Sequence, residues 1–218
     1  MREPPARTDE EPSVGEHDAA GDPGRLLALS DGVFAIAVTL LVLDVGVRDG
    51  LDPAGFRRAL RQTVPELLAY ALSFTVIAAM WRDHRRIFAG VRRVDEVVIR
   101  LTVVGLGLVA LMPFPTTLLA DYGGRPQAVL IYSGAVVAVD AVHLWLLRYL
   151  ASRPGMLAAP RPKAETRLLT ADLTLTIAVF VLSMGLAYVS PTAAKWCWLL
   201  LVAVRLGLRW ARGGRSAA

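Results

Sequence analysis

Between Arg25 and Arg48 lie 22 residues, LLALSDGVFAIAVTLLVLDVGV, in which only Asp31 and Asp44 are charged. As a helix rising about 1.5 Å per residue they would reach roughly 33 Å. The hydrocarbon core of a bilayer is about 30 Å deep. A run of this length has one natural solvent, the membrane, and one natural conformation within it, because lipid offers the backbone no hydrogen-bond partner. The two acids then need explaining. An ionised carboxylate facing lipid costs about 2.5–3.5 kcal/mol or more, so such residues face a protein interior or a water-filled path.

The rest of the chain has the same character. Hydrophobic residues make up 55% of the 218, and mean hydropathy is +0.48. The apolar segments run about 20 residues and are rich in Leu, Ala and Val. A membrane barrel would instead need strands of about ten alternating residues. The fold class expected is all-α and polytopic. Net charge is +5, but the basic residues sit at the ends of apolar segments, where they set topology, so nucleic acid is not the expected partner. Cys197 is the single cysteine, which excludes an intrachain disulfide.

Residues 1–24 hold seven acids, four prolines and two arginines and read as a disordered tail. A six-span membrane domain follows over 25–212, and 213–218 form a basic tail. The spans are expected at about 26–47, 65–88, 96–119, 127–150, 165–189 and 192–211. A short amphipathic helix over 54–63 would lie at the interface, with Pro65 in the first turn of the second span. Pro113 and Pro115 should kink or end the third. Eighteen of the 24 Lys and Arg residues fall in the two termini and the 2–3 and 4–5 connections, against six on the other side. Both termini are therefore expected in the cytoplasm.

Ser30-Asp31-Gly32 sits near the cytoplasmic end of the first span. It could cap a helix N-terminus or form a buried polar lock. Arg25 is about 240° round the helix from Asp31, so a partner is expected from the second span or a neighbouring subunit, with Trp81, His84 and Arg85 the candidates. Ile36, Thr39 and Leu43 are spaced i, i+3, i+7, and Gly32 extends their stripe. Repeated around an axis, this face would give apolar rings with one hydroxyl ring between them, an arrangement that can gate by dewetting. Ordinary helix packing would use the same stripe. Asp44 would concentrate cations at the outer mouth. Asp140 and His143 are three apart and could relay protons or satisfy each other. There is no TVGYG filter, arginine-periodic voltage sensor, phosphate loop or zinc-site spacing, and no cofactor is expected.

RLLALSDGVFAIAVTLLVLD resembles the first-helix signature of the transmembrane protein 175 family of potassium channels, in its single-repeat prokaryotic form. Trp81-Arg82-Asp83-His84 through Phe88 is similar to that family's Trp-x-x-His…Phe, and Pro113-Phe114-Pro115-Thr116 to its Pro-Phe-x-Thr. Leu29 departs from the usual Phe, and Arg85 replaces a frequent second His. The resemblance implies a homotetrameric, non-canonical cation channel that is not an enzyme and conducts K⁺. Its pore would be lined by Ile36, Thr39 and Leu43, with a polar network of Arg25, Ser30, Asp31, Trp81 and His84 at the cytoplasmic end. The alternatives are a proton-coupled transporter using Asp140 and His143, or a non-conducting membrane scaffold.

Overall fold

A computed structural model describes residues 22–46, 52–198 and 201. The expected tails fall outside it, apart from residues 22–24. Among the described residues, five helical stretches are long and apolar enough to cross a membrane: Pro23–Leu43, Pro53–Phe88, Glu96–Tyr122, Pro126–Ala151 and Lys163–Ala187. Residues 191–198 are helical and begin the sixth expected span, most of whose remainder lies outside the described residues.

Helix α1 (Pro23–Leu40) starts two residues before the expected domain boundary, where Pro23 follows Asp22. The Asp22 carboxylate accepts from the Gly24 amide at 2.8 Å, so Asp22 is the cap and Ser30 and Asp31 are freed for other work. The helix tightens into a 3-10 turn at Leu41–Asp44.

Helix α2 runs unbroken over 36 residues, Pro53–Phe88, which corrects the expectation of a separate interfacial helix and a second span opening at Pro65. Pro53 is the first-turn proline, capped by Asp52, and Pro65 lies inside the helix. One interior proline removes a single backbone bond and strains the turn before it. The flanking Ala, Leu, Arg, Gln and Glu residues favour helix strongly enough to carry the chain through.

The third span divides at its prolines as expected: α3 is Glu96–Ala110 and α4 is Pro113–Tyr122. Helix α5 (Pro126–Ala151) is the most enclosed, and α6 (Lys163–Ala187) packs chiefly on it. Where α3 crosses α5, a Cβ on Gly105 would stand 3.3 Å from a Val142 methyl. A small residue lets the two backbones approach, which is how helices associate in lipid.

One apolar cluster joins Phe34, Ile77, Met112, Tyr132, Phe180 and Trp198; a second, toward the Phe88 end of α2, joins Ile87, Val98, Leu147, Leu150 and Leu173. Polar ties cross the first. Thr116 donates to Ser73 at 2.8 Å, and Ser73 to the Tyr132 hydroxyl at 3.1 Å. Trp198 donates to Ser183 at 2.8 Å. At the other end the loops interlock. Gly90, at φ +78, turns the chain out of α2, and its carbonyl accepts from Ala158 at 2.8 Å. Arg161 Nη2 reaches the carbonyls of Arg86, Ile87 and Ala89 at 3.1, 2.8 and 3.0 Å, supplying donors that the end of α2 lacks.

Candidate functional site

Helix α1 is two-faced. Ser30, Phe34, Ala37 and Leu41 are buried in the chain, and they recur at helical spacing along one side. On the other side Gly32, Ile36, Thr39 and Leu43 are uncovered, Ile36 to 59% and Leu43 to 74%. The three residues picked from spacing thus share a face that no other part of the described chain covers. A Cβ on Gly32 would meet nothing within 4 Å. Thr39 donates its hydroxyl hydrogen to the Ile36 carbonyl at 2.9 Å. Its oxygen keeps acceptor capacity, which is the chemistry a cation or a hydrating water uses. Asp44 ends the 3-10 turn; its side chain is outside the described residues.

The other side of α1 carries the polar network. Asp31 is gripped from α2 by two donors one turn apart: Trp81 Nε1 donates to Oδ1 at 2.7 Å, and Arg85 Nη1 to Oδ2 at 2.8 Å. The Arg85 guanidinium also lies 5.6 Å from the Trp81 ring centre, where the ring face attracts it. Next to this pair, Ser30 donates to the Leu26 carbonyl at 2.8 Å, and its oxygen stands 3.1 Å from His84 Nε2. A hydroxyl has one hydrogen to give. With that hydrogen on Leu26, Ser30 accepts from His84, which assigns the imidazole proton to Nε2. Arg25 is exposed and joins neither contact, having no ion pair or hydrogen bond among the described residues. Ser30 and His84 thus meet in one contact, and Asp31, Trp81 and Arg85 in another beside it.

The second candidate pair adjoins the first. His143 Nδ1 is 4.0 Å from Asp140 Oδ1 within α5, and its ring centre is 5.4 Å from that of His84. Phe34 and Phe88 flank the His84 ring at 5.7 and 4.8 Å. Both histidines, Asp140 and Asp83 are buried. The contact between the two histidines was missed in the sequence. Its only trace there is that each lies in the third of its span that the Lys and Arg distribution predicts to be cytoplasmic, near an acid. Outside the spans, Asp95 caps α3 by accepting from the Val98 amide at 2.9 Å and takes the Tyr149 hydroxyl at 2.6 Å. Desolvation alone would raise its carboxyl. The hydrogen bonds from Tyr149 and the backbone, with the nearby Arg153 charge, outweigh it and hold the group below the usual carboxylate value of 3.8.

Residues 25–113 match a family model described as endosomal/lysosomal potassium channel TMEM175. A potassium channel of Streptomyces collinus is 39% identical over 77% of this chain and 83% of its own length. A potassium channel of Chamaesiphon minutus is 35% identical over 77% and 85%. The crystal structure of a lysosomal potassium-selective channel TMEM175 homolog from Chamaesiphon minutus superposes with a TM-score of 0.74 at 32% identity, covering 86% of this chain and 97% of that one.

Proposed function

This chain belongs to the TMEM175 family of potassium channels, and on that premise we propose that it is a potassium-permeable leak channel in which α1 of each copy faces the ion path. It is a multi-pass membrane protein of a channel family, not an enzyme. The assembly in this reading is a homotetramer in a bacterial plasma membrane, with both termini on the cytoplasmic side, as the distribution of Lys and Arg favours. Its partners are K⁺, lipid and further copies of itself; it uses no cofactor.

One observation carries the reading: α1 buries one face in its own chain and leaves Gly32, Ile36, Thr39 and Leu43 uncovered on the other. An apolar stripe broken by a single hydroxyl suits a constriction that strips part of a cation's water and offers it one ring of oxygens. Ile36 and Leu43 are the constrictions and Thr39 the oxygen ring. Asp44 draws cations to the outer mouth. Ser30, Asp31, Trp81, Arg85 and His84 hold α1 to α2, so that the face keeps its rotation. Arg25, exposed at the same end, is available to a neighbouring copy.

The test is K⁺ flux from liposomes holding the purified protein, with and without a proton ionophore. Flux that follows the K⁺ gradient and weakens in Na⁺ supports the channel. The buried contact between Asp140 and His143 favours one competing reading, a proton-coupled transporter. It requires saturable flux that needs a pH gradient and disappears in Asp140→Asn. A tetramer that passes no ions would point to a scaffold.

A further inference from the structure

Helix α6 has an open face at the end nearest the interlocked loops. Lys163, Thr166, Arg167, Thr170, Ala171 and Thr174 follow i, i+3, i+4, i+7, i+8, i+11 spacing and fall on one side of the helix. They form one wall of a groove of about 630 Å³, whose other wall is the α5–α6 connection from Ala151 to Arg161. Among the described residues no carboxylate lines the groove. Among the described residues neither Lys163 nor Arg167 has an ion pair. The connection is anchored, because Arg161 is tied to the last carbonyls of α2. The groove is therefore a fixed shape with two uncommitted cations at its rim.

Its depth fits the membrane. From Lys163 to Thr174 the helix rises 11 residues, roughly 16 Å at 1.5 Å each, which is about half of a hydrocarbon core 30 Å thick. Charge sits at the level of headgroups, and small side chains (Thr170, Ala171, Thr174) leave a shallow channel running one leaflet deep. Basic pockets on the cytoplasmic side of membrane helices suit acidic headgroups. The absence of a carboxylate leaves a zwitterionic lipid's ammonium without a partner. Since α6 packs chiefly on α5, the groove is also separate from the uncovered face of α1.

We propose that this groove binds an anionic phospholipid, its phosphate between Lys163 and Arg167 and one acyl chain along Thr170, Ala171 and Thr174. The inference rests on α6 crossing the membrane and does not depend on conduction. Occupancy bridges the start of α6 to the connection that caps α2, so bound lipid stabilises the whole loop side of the molecule.

The full chain in detergent, titrated with phosphatidylglycerol, phosphatidylcholine or inorganic phosphate, tests it by native mass spectrometry and thermal unfolding. Phosphatidylglycerol should form retained adducts and raise the unfolding midpoint, and the other two should not. Lys163→Gln and Arg167→Gln should each weaken its binding about fivefold, while Arg93→Gln, on the other loop, should leave it unchanged. Ala171→Phe fills the channel with both cations in place and should also lose the adduct, which separates occupancy of the groove from loose attraction to charge. Equal binding of the two lipids overturns the proposal. So does binding of free phosphate as strong as that of the lipid, or phosphatidylglycerol binding unchanged in Lys163→Gln, Arg167→Gln and Ala171→Phe.

Discussion

Trp81 and Arg85 hold the two oxygens of one carboxylate, Asp31, from successive turns of α2 at 2.7 and 2.8 Å. One acid thereby fixes both the height and the rotation of α1 against α2. The Arg85–Asp31 pair is part-exposed, and such pairs contribute about 0.2–1 kcal/mol. A double-mutant cycle with Asp31→Asn and Arg85→Gln, read by thermal unfolding in detergent, should give a coupling in that range. Trp81→Phe should cost about 1 kcal/mol for a lost hydrogen bond. Strictly additive mutants would mean that Asp31 and Arg85 do not act as a unit.

Ser30 is fully buried, and its oxygen accepts a hydrogen bond from His84 Nε2. Ser30→Ala leaves a buried N–H without an acceptor, at a cost of about 1–3 kcal/mol. His84→Gln retains a donor and should cost less than His84→Leu. Unfolding midpoints that rank the two His84 variants the other way would count against a proton on Nε2.

Ile36→Ala and Leu43→Ala each remove most of an uncovered side chain at a proposed constriction. Both should widen the path and lower K⁺ over Na⁺ selection, by several-fold if each ring supplies about 1 kcal/mol of the discrimination. Since both side chains are more than half exposed among the described residues, unfolding midpoints should barely change. Reversal potentials in mixed K⁺ and Na⁺ are the readout. Parent-like selectivity in both variants places the constriction elsewhere.

The cap of α3 depends on pH in one direction. The folded Asp95 carboxyl titrates below 3.8, so its contribution is complete above that value and is lost as pH falls through the folded one. Tyr149→Phe removes a partner of the ionised form and should move the acid limb of stability upward in pH. Unfolding followed between pH 2 and pH 6 tests this, and an unmoved limb would leave Tyr149 no part in the cap.

The first five spans were legible because uninterrupted apolar length is a one-dimensional property, and Pro113 marked the break in the third. The link from α1 to α2 was legible too, since an acid in a membrane helix demands a partner at its own depth and the second span offered only a few. Pro65 misled because its effect depends on the helix strength of its neighbours, and that strength carried α2 through it. The contact between His84 and His143 and the capping of α2 by Arg161 join residues 59 and more than 70 positions apart. Periodicity says which face of a helix is apolar; it is silent on which helix lies against that face.

Leu29, Ile36 and Leu43 recur every seven residues along the uncovered side of α1 and the 3-10 turn that extends it, with Gly32 and Thr39 doing the same. A straight helix of 3.6 residues per turn lets such a stripe drift by about 20° per heptad. Copies of α1 that keep it turned toward a common axis must therefore wind about one another with a left-handed supercoil. In the proposed pore, the pitch of that supercoil would link the bore at Leu43 to the splay at Leu29, and the grip of Trp81 and Arg85 on Asp31 would help set the width of a passage about 18 Å away, 12 residues along the chain.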